Sequence, residues 1–345
     1  MNAKEILAAL PDALALRGGI DLTDSHPLAD SVAQMSLAQL AEEIGEHMLA
    51  ADPRYTHVIG HSTRAAIAAG LTSEDFGVAV AVGLQRMLVR RYESLADHLP
   101  LCAPVPVNDY KEITLPMLDL GPGLEPVGGN GELPNSAMID AAAGQTGKLL
   151  SYSRLLRITR QTFINDQWNA VSTALTGFSA SASRLENRLI FDMLESNPQL
   201  SDGDPLFHAD VQTEVAGALS DETLGQAMGL LRMQQTKTGE TSGFGAKFLV
   251  VDPYQEAKAL KLVQDMGANL WVIASPNIGP GRWYVMADPE SAPVIGRLTM
   301  SRGRAPIRAE RKKPPLQFDG VGVLVGTDVG FVIVDRIGVV RGHVE

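Results

Sequence analysis

The 345-residue chain is 45% hydrophobic and 20% charged, with a formal net charge of −11 and one cysteine, Cys102. This composition suits a soluble globular protein of two or three domains. It excludes a disulfide framework within the chain, a membrane-spanning run of roughly 18 apolar residues, and the basic balance of a dedicated nucleic-acid binder.

The amino-terminal stretch to residue 35 is poorly periodic and interrupted by Pro11, Gly18, Gly19 and Pro27. It reads as an extended or short-helical arm, and with Pro11 and Asp12 breaking its apolar patch no signal peptide is expected. Residues 1–52 hold two basic residues against nine acids, a net of −7. Ser36 starts an amphipathic helix to about Ala50, with Gln39 in capping-box position. Thr72 caps a longer one, whose apolar face is Phe76, Val80, Leu84, Met87, Leu88, Leu95 and Leu99, ending at Pro100.

KEITLPMLDL (111–120) and KLLSYSRLLRITR (148–160) alternate as strands, and the segment between them is rich in glycine and proline. The two strands form a long ribbon with no core of its own. Ten strand residues reach roughly 33 Å, and an isolated hairpin is marginal in water. The apolar residues Ile113, Leu115, Met117, Leu150 and Tyr152 are therefore expected to lie against another surface, either the rest of their own chain or a neighbouring copy. The strand runs into a helix expected from Asn165 or Asp166 to Asn197. Its stripe is Trp168, Val171, Leu175, Phe178, Ala182, Leu185, Leu189 and Met193.

A compact α/β stretch follows the turn at 201–205. Ser220 opens a helix to Gln235. FLVVDP (248–253), LWVIAS (270–275) and RWYVMAD (282–288) read as strands, with a helix at 254–266. Residues 297–313 carry seven basic residues against one acid, a net of +6. Arg302, Arg304, Arg308 and Arg311 in this run read either as part of a solvated face or as a zone that meets acidic surface on another copy. Residues 316–341 read as closing strands.

Catalytic motifs fail one by one. AAAGQTGKLL (141–150) has Ala142 and Leu149 where a phosphate-cradling loop needs Gly and Ser or Thr, and it leads into a strand. His57 and His61 lack the Glu and third ligand of a zinc site. His208 has no partner pattern, and GHSTR (60–64) and GFSAS (177–181) miss the closing glycine of a nucleophile elbow. Asp202 and Asp204 around Gly203 read as a turn rather than a calcium loop. No catalytic residue, cofactor or metal site is expected.

SRLLRITRQTFIND (153–166), then a long helix, then SNPQLSDGDPLFHAD (196–210), resembles the major capsid proteins of tailed phages related to the Mu-like major head subunit. KFLVVDP (247–253), WYVMADP (283–289) and FDGVGVLVGTDVGFVIVDRIG (318–338) resemble later strands of that family. The resemblance covers roughly residues 75–340 and implies an α+β Hong Kong 97-type capsid fold. Its parts would be an acidic N-terminal arm (1–71), a leading helix (72–109), an extended E-loop hairpin (110–160) and a peripheral domain with a spine helix (161–215). An axial domain (216–295), a peripheral return (296–330) and an axial closing strand (331–345) would follow.

The resemblance further implies a virion protein, assembled in the host cytoplasm, that builds hexamers and pentamers of an icosahedral shell around double-stranded DNA. The implied partners are other copies of the chain, a portal, and scaffold or decoration proteins, with no membrane. In some relatives a serine protease precedes this segment, and the first 70 residues lack its triad. With Met1 as the native start, the acidic stretch is expected to be retained. The competing readings are a soluble α/β nucleotide-dependent enzyme using Lys148 and a tail-tube or decoration protein.

Overall fold

The structure is a computed structural model and describes residues 3–51, 66–67, 70, 74–116, 144–235, 239–301, 306–312 and 320–344. The helices are α1 (Ala3–Arg17), α2 (Ala29–Ala33), α3 (Leu37–Ala51), α4 (Glu74–Glu93), α5 (Arg160–Ile164), α6 (Trp168–Glu195), α7 (Asp221–Met233) and α8 (Glu256–Asp265). The strands are β1 (Cys102–Val107), β2 (Ile113–Pro116), β3 (Gly144–Gly147), β4 (Leu150–Thr159), β5 (Glu214–Ala216) and β6 (Ala246–Val251). β7 (Trp271–Ala274), β8 (Trp283–Ala287), β9 (Ile295–Met300), β10 (Ile307–Lys312), β11 (Gly320–Ile333) and β12 (Val339–His343) complete them. The chain is a mixed α+β protein. Its contacts divide it into two compact units, one of residues 1–95, 151–184 and 303–328, the other of 96–150, 185–302 and 329–345.

In the first unit the amino-terminal segment is not extended. α1 is a 15-residue helix despite Pro11, with Ala3, Ile6, Ala9, Leu10, Ala13, Leu14 and Ala15 all buried. A helix covered on most of its faces has no polar stripe to reveal its period, which is why the sequence looked aperiodic. α4 packs on α1 with Phe76, Val80, Leu84, Met87 and Leu88 fully buried, as their spacing predicted. α4 ends at Glu93 instead of reaching Pro100, and Leu95 is exposed. Thr72, its expected cap, lies outside the described residues.

The capping box of α3 forms as read. The Gln39 carboxamide accepts from Ser36 N–H at 2.9 Å, and the Ser36 hydroxyl accepts from Gln39 N–H at 3.2 Å. The strand-to-helix joint differs from the expectation. Thr159 ends β4 and caps the one-turn helix α5, and α6 begins only at Trp168. Between them Asp166 sits at φ 51°, a left-handed conformation that Asp tolerates. Its carboxylate accepts from Arg17 at 2.7 Å and from the Leu37 N–H at 3.1 Å, so it caps α3 rather than its own helix. Trp168, fully buried, donates its indole N–H to the Leu14 carbonyl at 3.1 Å.

α6 spans 28 residues, about 42 Å. Its amino-terminal part lies in the first unit and its end in the second. Trp168, Val171, Leu175 and Ala182 are buried as the stripe predicted, whereas Phe178, Leu185, Leu189 and Met193 are only half-buried. Ser172, Ser179 and Ser183 fill the buried line instead. The Ser179 hydroxyl donates to the Leu88 carbonyl at 3.2 Å and that of Ser183 to the Leu95 carbonyl at 2.7 Å. These small hydroxyls let α4 approach closely and satisfy carbonyls at its carboxy-terminal end.

The second unit holds a five-stranded sheet in the order β5-β12-β8-β6-β7. α7 and α8 cover one face, where Leu224, Ala227, Leu231, Ala259 and Val263 meet Leu249, Val251, Val285 and Val340. The other face meets the end of α6 through Ile190, Phe191 and Leu194, with Phe207, Phe248, Val250 and Tyr284 in the same cluster. Ser220 and Thr223 cap α7 reciprocally. β1 pairs with β9 in parallel, and the last four residues of β11 pair with β9 antiparallel.

Candidate assembly elements

The ribbon begins in the second unit. β2 and β3 pair antiparallel from Ile113↔Gly147 to Pro116↔Gly144. Ile113 and Leu115 are half-buried and pack on a cluster of Val107, Leu149, Leu298, Val332 and Val334. The apolar face at the base of the ribbon thus rests on its own chain. Leu150 is 47% exposed, and Tyr152 is half-buried. Met117 and most of the glycine-rich segment lie outside the described residues.

GQTG at 144–147 is a strand, its backbone committed to the ladder with β2. A phosphate cradle needs those N–H groups free. Leu149 is buried beside it. His57 and His61 lie outside the described residues. Ser179, in the GFSAS segment, is a buried mid-helix residue. Among the described residues no group of three His, Cys, Asp or Glu is placed to hold a metal ion.

The block at 196–210 has a clear physical logic. Asn197 ends α6 at φ 45°, and its carboxamide both accepts from the Phe207 N–H at 2.7 Å and donates to the Phe207 carbonyl at 3.0 Å. That pair closes a loop in which Leu200, Leu206 and Phe207 are buried and Gly203 turns at φ 93°. Asp202 receives the Arg336 guanidinium at 2.5 Å, and Asp204 lies 3.6 Å from it. The two carboxylates flanking Gly203 therefore grip a cation of their own chain.

The basic run behaves differently from the expectation of a free positive face. Arg297 lies on β9 and points its guanidinium at Glu186, Nε to Oε2 at 3.0 Å and Nη2 to Oε1 at 3.1 Å. Glu186 is completely buried on α6 and also meets His98 Nε2 at 3.2 Å. Within the first unit Arg308 pairs with the buried carboxylate of Asp328 and with Glu310. Arg311 lies 3.5 Å from Glu74. Each is matched inside its own unit, so charge reversal at Arg308 acts on folding before it acts on any neighbour. Arg302 and Arg304 lie outside the described residues. The Glu186–His98–Arg297 node was not legible in the sequence, because its members are far apart along the chain and carry no motif.

Cys102 packs under this node, its thiol donating to the His98 carbonyl at 3.6 Å. Burial pushes the thiol up to about 12. At pH 8 a raise of about 3 units lowers the thiolate fraction roughly a thousandfold. Iodoacetamide is therefore expected to leave Cys102 unmodified in the native protein and to label it fully in denaturant, read by intact mass. Rapid native labelling would contradict this placement.

The long helix, the two-stranded ribbon and the paired sheets define an α+β framework protein whose polar clusters hold elements together. Residues 144–342, more than half of the chain, match the family model described as phage capsid protein. The chain belongs to the phage capsid protein family, and so is a structural protein of a phage head shell, not an enzyme. No curated protein sequence matches it.

Among solved structures, it is similar to a virus-like particle from Pyrococcus furiosus, at 12% identity, TM-score 0.48, over 75% of this chain and 97% of that one. A phage-related protein from Bordetella bronchiseptica RB50 aligns at 10% identity and TM-score 0.47, over 75% and 96%. The capsid of cyanophage P-SCSP1u aligns at 8% and 0.44, over 71% and 86%.

Proposed function

We propose that this chain assembles into hexamers and pentamers of an icosahedral phage head with the Hong Kong 97-type plan, enclosing double-stranded DNA. The observation that carries this reading is the ribbon. Its strands pair from Ile113 to Pro116 and from Gly144 to Gly147, and Ile113 and Leu115 rest on the chain's own cluster. A two-stranded ribbon is marginal alone in water, and in this reading another copy supplies its further shelter. α6 serves as the spine, the sheet with α7 and α8 as the axial domain, and the 27 residues at 117–143 as the part that adapts to non-equivalent neighbours. A portal and scaffold or decoration proteins complete the particle, which forms in the host cytoplasm.

Replacing residues 117–143 with a short Gly-Ser link tests this. Circular dichroism and the melting midpoint are expected to match the unaltered chain, because the packing described for both units lies elsewhere. Closed shells are expected to be lost in electron micrographs. Wild-type shell yield from that variant would overturn the role given to the ribbon.

A further inference from the structure

Among the described residues β10 stands at the end of its strand order and pairs with β11 along one side only. The neighbour on its other side is a helix, α4. Gln85 of α4 donates its Nε2–H to the Ile307 carbonyl at 2.6 Å, and its Oε1 accepts from the Ala309 N–H. A residue in a parallel strand makes the same two bonds, donating to residue i and accepting from residue i+2. The side-chain amide therefore occupies the place of one residue of an added strand.

A second contact fixes the register of helix on strand. A Cβ on Gly77 would collide with the Arg311 side chain, so glycine is what lets Arg311 cross α4. Gly77 and Gln85 are about 12 Å apart along the helix. Arg311 and Ile307 are about 13 Å apart along the strand. The helix thus lies along the whole edge. β1, also at the end of a strand order, carries Pro104 and Pro106, which cannot donate to an incoming strand.

We propose that α4, through Gln85, is an edge guard that keeps β10 from pairing with a strand of a second copy of this chain. An unpaired edge is a template for strand addition. Copies crowded at one growing shell meet that hazard at every encounter. The guard leaves the intended contacts to other surfaces and removes the open-ended one, which would propagate without closing.

The full-length variants Gln85→Leu and Gln85→Glu test it. Leucine forms neither bond, and a carboxylate cannot donate to the Ile307 carbonyl. Both are expected to keep the wild-type circular dichroism spectrum. In the dispersed protein, the peptide 306–312 is expected to exchange its amide hydrogens at least tenfold faster than in wild type. With rising concentration, β-rich aggregates that bind thioflavin T should form, and within them 306–312 should be protected again.

Gln85→Leu combined with Ala309→Pro separates a guard from a merely structural glutamine. Proline removes the outward Ala309 N–H that Gln85 accepts from, without touching the β11 ladder, so the double variant is expected to aggregate less than the single one. More aggregation in the double variant would overturn the proposal. So would Gln85 variants as dispersed as wild type at all concentrations, or aggregates in which 306–312 stays unprotected.

Discussion

Glu186→Ala is expected to destabilise the second unit by about 3–5 kcal/mol. Glu186 faces both His98 and the Arg297 guanidinium in a buried site. Truncation leaves an imidazole and a guanidinium together without the group that neutralises one of them. The loss ties to three elements at once, because Glu186 lies on α6, Arg297 on β9 and His98 just ahead of β1. The triple variant Glu186→Leu, Arg297→Met, His98→Leu is expected to recover most of the stability, since an apolar cluster of similar volume carries no desolvation cost. Urea unfolding measures both, with the midpoint moving and the slope constant. A shift below about 1 kcal/mol for Glu186→Ala would mean the node is wetter than described.

Trp168→Ala is expected to cost about 3–5 kcal/mol, in the first unit rather than the second. The indole is fully buried at the start of α6 and is tied to α1 through the Leu14 carbonyl. Trp168→Phe keeps most of the volume and loses the bond, at about 1–2 kcal/mol. With two compact units, unfolding need not be a single transition. Where two transitions appear, Trp168→Ala lowers the one reported by amide exchange in residues 3–17, and Glu186→Ala lowers the one reported in residues 295–300. Equal shifts of both transitions by either variant would contradict that assignment.

Much of the framework was legible because local chemistry dictates it. The Ser36–Gln39 box and the buried face of α4 follow from spacing alone. The ribbon was read with the wrong return strand: 113–116 pairs with 144–147, in the glycine-rich stretch taken for its tip, whereas 150–159 pairs with β11. The loop after α6 was legible as a motif, and the structure supplies its reason in the left-handed Asn197 that clasps Phe207. Three things were hidden, each for a physical cause. α1 is buried on most faces and so shows no period. Ser172, Ser179 and Ser183 lie in the buried line of α6 because their hydroxyls serve α4, a demand that no hydropathy pattern records. Arg297, Arg308 and Arg311 look like one basic face in sequence, yet their partners Glu186, Asp328 and Glu74 lie in separate parts of the chain. Ion pairs between distant positions are invisible to a reading along the chain.

The same pairs narrow where contacts between copies can lie. With these arginines matched internally and the ribbon base resting on the chain's own cluster, the segment at 117–143 and the exposed Leu150 are left as the first residues to test for contact with a neighbour. The edge of β10 is closed by α4, and that of β1 is blunted by prolines.

Negative-stain electron microscopy of the purified full-length protein tests the central claim most directly. Closed icosahedral shells or six- and five-membered capsomer rings are the predicted result. A field of dispersed single copies at every concentration, with the ribbon protected from proteolysis against its own body, would contradict it.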